Sequence, residues 1–452
     1  MSEKNKAGDF SQGSLLENIL RLAGPMTVAL FINVLYSVVD RMYIGHLAGE
    51  GRLALTGIGL TAPLLMIISA FQSLCSAGGA PLFSIARGEG DDEKAGYILG
   101  NAYCLLLIIG ACLTLLGYIF IEPILRLTGA SADTFKYADE YVSIYLAGTV
   151  FVTTGLGMNS FINAQGFAKT GMLTVLLGAV ANIILDPIFI FGFNMGVRGA
   201  ALATVISQLL SAVWVFLFLT GGRAAVRLKL KYMSLKLRLI GRMAALGMAG
   251  FTMSFTNSAV SFAYNTMLGR LGGDTYIAVM TVINSLREVV FMPCSGITEG
   301  AKPVLGFNYG AKNYGRVREG IKLTTLLCVA YTFLIWAVML LFPEVFIKIF
   351  NNSPEILTVG RYAMRAYFSL FVLMTFQMVG QNTFVSLGKS KQAVFFSLLR
   401  KAIILIPLII LMPGITGLGA EGVFWAEPVS ELIGATACYM TMYFTIYRKL
   451  TQ

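Results

Sequence analysis

Twelve stretches of this chain are each long and apolar enough to cross a bilayer, and that pattern limits the folds open to it. In hydrocarbon every backbone N–H and C=O must be paired within the protein, so only helices and closed barrels span a membrane. A helix needs ~20 apolar residues to cover ~30 Å of hydrocarbon. The stretches meet that length at 15–45, 53–80, 96–121, 137–163, 170–193, 197–221, 239–269, 275–306, 320–342, 356–386, 392–412 and 418–447. Charged residues make up 13% of the chain, about half the ~25% of soluble domains. The expectation is an all-α polytopic membrane protein of twelve transmembrane helices. The first ~13 residues are polar and lack a hydrophobic core with a cleavage-type site, so the first span reads as an integral helix, not a signal peptide.

The net charge of +11 invites a nucleic-acid reading, but its distribution argues against one. Lys4, Lys6, Arg21, Arg87, Lys94, Lys169, the 223–242 cluster, Lys302 to Lys322, Lys389 to Lys401 and Arg448–Lys449 all fall at the start or after even-numbered spans. Roughly 24 basic residues then lie on one side against about nine on the other, which is the positive-inside bias. The expected location is the cytoplasmic membrane, the inner membrane of a double-membraned cell, with both termini cytoplasmic. The basic faces also suit anionic lipid heads.

The chain repeats itself. PLFSIARGEGDDEKA (81–95) aligns without gaps to PVLGFNYGAKNYGRV (303–317). At the same offset of 222, Gly166 meets Gly388 and Lys169 meets Lys391. At 223, GVRGAALATVIS (196–207) meets GAEGVFWAEPVS (419–430). The expected domains are an N-lobe at 1–222, a basic cytoplasmic linker at 223–238 and a C-lobe at 239–452. Alternating apolar and basic residues in RAAVRLKLKYMSLKLR (223–238) fit a segment on the membrane surface or a solvated linker equally well. Six spans per half make the halves parallel repeats about an axis along the membrane normal, an arrangement common in transporters whose substrate path runs between the halves.

Two acids stand out. Asp40 lies in LFINVLYSVVDRMYIGHL and Asp186 in LLGAVANIILDPIFIFGF. A carboxylate in hydrocarbon costs at least ~2.5–3.5 kcal/mol, so such residues are rare and usually functional. Pairing of Asp40 with Arg41, or local bonding of Asp186 at its Asp–Pro step with Pro187, are the structural alternatives. The six cysteines fall within spans without a CxxC pair and read as helix-packing residues. His46 is the single histidine, which argues against a histidine metal site or triad.

RLAGPM, YSVVDRMYIG, AQGFAKTG, ANIILDPIFIFGF, GVRGAALATVIS and PVLGFNYGAKN resemble the multidrug and toxic compound extrusion (MATE) family, in its bacterial MepA-like or DinF-like branch rather than the NorM type. The resemblance runs over nearly the whole chain. It implies two six-helix lobes about a central cleft, and export of organic cations in exchange for H⁺ or Na⁺. It also implies a cation site in the N-lobe at Asp40, Asn182, Asp186 and Thr204, joined by Tyr141, with Tyr137 and Tyr145 as rivals. Spans 239–269 and 356–386 contain no Asp or Glu, a departure from the NorM pattern of a C-lobe sodium site.

Spacing agrees with that site. Asn182 and Asp186 are four residues apart, hence on one helix face. At 1.5 Å per residue Asp186 stands ~26 Å beyond Lys169, and Thr204 lies ~9 Å from Arg198, which places both in the outer part of the membrane with Asp40. Two carboxylates, an amide oxygen and a hydroxyl can hold a small hard cation such as Na⁺. The same acids, close together, can instead share a proton. No further cofactor is expected.

The C-lobe carries charges of its own. Arg287 with Glu288, and Glu299 with Lys302, are expected to neutralise each other on the eighth span. Glu427 falls at the repeat position of Thr204, with Glu431 one turn on. Arg287, Glu299 and Glu427 are candidates for attracting substrate or for fixing helix packing. Pro25 and Pro187 are expected to kink the first and fifth helices. Abundant Met and aromatic residues suit small lipophilic cationic substrates.

The function expected is a secondary-active antiporter, monomeric, with membrane lipids around it. The alternative is a related flippase-type exporter of lipid-linked or other amphiphilic substrates. The major-facilitator loop GxxxDRxGRR is replaced by RGEGDDEKAG. An enzyme is not expected: the acidic doublet Asp91–Asp92 lies in a loop, and the nucleotide pattern GxxxxGK[ST] is absent.

Overall fold

The computed structural model describes residues 8–47, 51–350 and 353–450. Lys4 and Lys6, counted above on the cytoplasmic side, lie outside them. The described residues are helical almost throughout. The helices are α1 (Leu15–Gly45), α2 (Gly51–Gly88), α3 (Asp92–Leu127), α4 (Ala132–Ala147), α5 (Thr149–Ala164), α6 (Ala168–Pro187) and α7 (Val197–Thr220). They continue as α8 (Leu237–Gly310), α9 (Tyr314–Leu341), α10 (Pro343–Lys348), α11 (Pro354–Tyr367), α12 (Met374–Ser386), α13 (Ser390–Leu398), α14 (Ile406–Thr416) and α15 (Ala426–Met442).

Eight of these helical stretches are long and apolar enough to cross a membrane alone, and two bent pairs bring the number to ten. The pairs are α4–α5, bent by 59°, and α11–α12, bent by 45°; each was expected as one straight span. α8 holds two spans, broken only at Gly273, whose φ of 68° and ψ of −163° suit a residue without Cβ. The stretch Gly419–Trp425, α15 and the wide turn Tyr443–Tyr447 runs on without a gap over the twelfth stretch expected from sequence.

Helix ends follow local chemistry. Asp91 caps α3 by accepting from the Lys94 amide at 2.8 Å. Ser131 and Thr134 form a reciprocal capping box at α4. α1 runs through Pro25 as one helix. Pro187 ends α6 and hands over to a wide π turn at Ile188–Gly192, the outcome expected where a residue without an N–H interrupts the ladder.

The duplication is visible in the backbone. Left-handed residues recur at Gly90 (φ 76°) and Lys312 (59°), Gly166 (90°) and Gly388 (70°), and Gly196 (55°) and Gly419 (57°). These pairs keep the sequence offsets of 222, 222 and 223. Lys312 holds this conformation without being glycine, at a local cost of about 1 kcal/mol.

Contacts divide the chain into two compact units. The first is Met1–Asp9 with Gly24–Gly247, and the second is Phe10–Ala23 with Met248–Gln452. The start of α1 therefore packs within the second unit, where Gly300 closes on Ala23 at 2.6 Å from a notional Cβ. The start of α8 packs within the first unit, where Gly78 and Gly247 let α2 and α8 touch backbone to backbone.

The basic segment after α7 is anchored along one edge. Ala224, Val226 and Leu228 are buried at alternating positions, as one face of an extended segment must be. The Gln165 side chain accepts from the Val226 amide at 3.0 Å. Asn101 donates to the Ser234 carbonyl and accepts from the Lys236 amide, at 3.0 and 2.7 Å. The alternation thus marks a strap held on the first unit by its buried edge, with Arg223, Arg227, Lys229, Lys231, Lys236 and Arg238 exposed. Leu230, at 85% exposure, is the part that projects.

Candidate cation site in the first unit

Asp40 comes from α1, Tyr141 from α4, Asn182 and Asp186 from α6, and Thr204 from α7. All five meet inside the first unit. The carboxyl groups of Asp40 and Asp186 lie within hydrogen-bonding reach of each other. Asp186 is fully buried and Asp40 is partly so. Asn182 donates to Asp186 Oδ1 at 3.2 Å and to Thr204 Oγ1 at 3.4 Å. The Tyr141 hydroxyl completes the chain of contacts through Thr204, while its ring stacks on Tyr145 at 6.1 Å.

Among the described residues neither acid forms an ion pair within 4 Å, and Arg41 acts on Asp40 only at longer range. Asp40 Oδ1, Asp186 Oδ2 and Asn182 Oδ1 are all buried without a hydrogen-bond partner. Three unmet acceptor oxygens are costly away from water. They form an oxygen-rich set to which a proton or a small hard cation supplies what is missing.

A small cavity adjoins them. Asn33, Tyr36, Gly178, Asn182, Thr204, Ser207, Gln208 and Ser211 are among its lining residues, with room for about one water molecule. Tyr36 and Gln208 were not singled out from sequence. Tyr36 is one turn before Asp40 and Gln208 one turn after Thr204, so the i,i+4 rule applied to the named residues finds both.

The second unit is built differently. Arg400 and Glu427 form a buried pair at 3.1 Å, with Glu431 at 4.0 Å from the same guanidinium. Arg287 reaches Glu427 at 4.0 Å, which corrects the expected pairing with Glu288, an exposed residue. Residues on adjacent positions of a helix point about 100° apart, so i,i+1 charges do not meet. Lys302 does pair with Glu299, at 2.5 Å, but the Glu299 side chain is 50% exposed, so it is not a buried charge. Arg400 and Lys401 were expected among cytoplasmic loop residues. Arg400 is 5% exposed, and Lys401 donates to Asn257 within the same unit. The apolar run IILIPLIILM after them hid the depth of these two cations.

The family model MatE matches this chain twice, at residues 25–188 and 250–411, one match per half of the duplication. The multidrug export protein MepA of Staphylococcus haemolyticus is 23% identical over 440 residues, covering 97% of this chain and 94% of that protein. A crystal structure of MATE in the bent conformation superposes with a TM-score of 0.92 at 23% identity, over 98% of both chains. A MOP superfamily transporter from Pyrococcus furiosus, described as having a binding pocket of reversed polarity that suggests a different function, superposes at 0.90 with 23% identity, over 100% of this chain and 99% of that one. The chain belongs to the MatE family and is an integral membrane transporter, not an enzyme.

Proposed function

We propose that this chain is a secondary-active antiporter that exports small lipophilic cations, drugs among them, in exchange for H⁺ or Na⁺. The observation that carries the reading is the Asp40–Asp186 pair, two facing carboxyl groups with buried, unpartnered oxygens. The multidrug exporters it is similar to support the substrate class.

Asp40 and Asp186 carry the coupling. Two carboxylates side by side in a poor dielectric repel each other, and one proton between them or one Na⁺ among their oxygens relieves that cost. Asn182 holds the Asp186 carboxyl in place from one turn away. Thr204 and Tyr141 supply hydroxyl groups that bond to whichever form is present. Uptake of the ion neutralises the acids and weakens their hold on a cationic substrate. Release of the ion on the other side restores it. The flows are linked because the ion and the substrate favour different states of the same site.

The protein works in the cytoplasmic membrane with both termini inside, as a monomer whose internal repeat supplies both lobes. Exposed Arg238 and Arg242, one turn apart, rim an open recess with Lys94, Lys236 and Tyr97, and with the acids Asp91 and Glu93; the basic side of this rim suits anionic lipid heads.

The test is ethidium efflux from liposomes holding the purified protein, under a pH gradient alone and a Na⁺ gradient alone. Uphill efflux is expected with one of them, and lost in Asp40→Asn and Asp186→Asn. Efflux by either variant at the parent rate refutes the role of the pair. Failure with every cation, together with movement of a lipid-linked substrate, turns the assignment to the flippase-type alternative.

A further inference from the structure

The two copies of the repeat treat the same helix crossing in opposite ways. In the first unit Gly178 on α6 faces Ser211 on α7, where a Cβ added to the glycine would lie 2.6 Å from Ser211 Oγ. Both residues line the cavity beside Asn182 and Thr204. At offsets of 222 and 223 in the second unit stand Arg400 and Gly434. There a Cβ added to Gly434 would lie 2.6 Å from Arg400 Cγ. The glycine has changed sides, and an arginine stem fills the space that the first unit leaves open.

The acids have moved accordingly. The positions corresponding to Asp186 at these two offsets hold the apolar residues Leu408 and Ile409. Those corresponding to Thr204 and Gln208 hold Glu427 and Glu431. Both glutamates are buried, at 2% and 1% exposure. Each keeps one oxygen, Oε2, without a partner, as does the buried Tyr264 hydroxyl. Arg400 is the cation nearest to both acids, with Arg287 beyond Glu427 and Lys401 committed to Asn257.

We infer that Arg400 is a resident cation: in the second unit its side chain occupies the place that the first unit keeps open beside Asn182 and Thr204, so that an Arg400 side chain cut back to glycine leaves a site for a free guanidinium-class organic cation. The cation site rests on the geometry of the two units; that the first unit exchanges its ion rests on the function proposed above.

The experiment is thermal unfolding of the purified full chain at constant ionic strength, with guanidinium, Na⁺ or K⁺ at low millimolar concentration. Arg400→Gly is expected to lower the midpoint, and guanidinium to restore much of it saturably, as a ligand of the native state does. Na⁺ and K⁺ restore less, the parent protein does not respond, and the triple variant Arg400→Gly with Glu427→Gln and Glu431→Gln does not respond either. No saturable guanidinium shift in Arg400→Gly, or an equal shift in the parent, overturns the inference. Should Arg400→Gly fail to accumulate, the neutral variant Arg400→Met with Glu427→Gln and Glu431→Gln decides. Ion-driven efflux at near-parental rate is expected from it, and loss of ion dependence with substrate binding intact overturns the resident role. Efflux by Asp40→Asn at the parent rate would sink the proposed function while leaving the guanidinium result standing.

Discussion

Asn182 donates to the Asp186 carboxylate across one helical turn, at 3.2 Å, and the same amide faces Thr204 on the neighbouring helix. One side chain thus ties a membrane-embedded acid to two helices. Asn182→Ala removes a donor to the ionised carboxylate, so it is expected to raise apparent affinity for a proton and to lower it for Na⁺, by about 10-fold or more, the value of one hydrogen bond to a charged group. The half-saturating proton or Na⁺ concentration for efflux measures it. An unchanged value would show that Asp186 is positioned without the amide.

The cavity beside the site depends on Gly178. A methyl group there meets Ser211 Oγ, and that hydroxyl is held by the Thr174 carbonyl at 3.2 Å. Gly178→Ala is expected to cost about 1–3 kcal/mol by overpacking and to slow coupled efflux. Adding Ser211→Ala should return part of both. Melting curves and efflux rates of the single and double variants check the coupling between the two positions.

The strap after α7 is held mainly by Asn101. Besides Ser234 and Lys236, its amide reaches the Tyr232 carbonyl at 3.4 Å. Asn101→Ala leaves these backbone groups without their partner and is expected to destabilise the strap by about 1–3 kcal/mol. Limited trypsin digestion should then cut faster than in the parent protein at Lys229 and Lys231, the exposed lysines flanking Leu230.

Gly78 and Gly247 permit backbone contact between α2 and the start of α8. A Cβ at either glycine would collide with a carbonyl oxygen, of Met243 or of Leu74, and backbone cannot swing aside. Gly78→Ala and Gly247→Ala should therefore each destabilise more than Gly241→Ala, whose Cβ meets nothing within 4 Å. The order of melting temperatures tests this directly.

Reading the chain alone marked the apolar spans and the repeat from local or periodic information, while Asp40, Tyr141, Asn182, Asp186 and Thr204 were named together through the family resemblance. Apolar length marks a span, a fixed offset marks a duplication, and four-residue spacing puts Asn182 and Asp186 on one face. Bends were less legible. The 59° turn between α4 and α5 falls at Gly148 within an apolar run, and nothing in its composition separates a bent span from a straight one.

What the amino-acid order determined by itself was the number of crossings, the doubling of the unit and the presence of two acids where acids are costly. What only the tertiary structure decided was the company each charge keeps. Arg400 looked like a loop residue and is buried against Glu427 and Glu431; Arg287 pairs with Glu427 and not with its neighbour in sequence. Asp40 and Asp186 were left facing each other with oxygens unmet. Helix period fixes which residues share a face, but pairing between distant helices depends on where small residues such as Gly178 and Gly434 let them approach, and that is settled only when the whole unit packs.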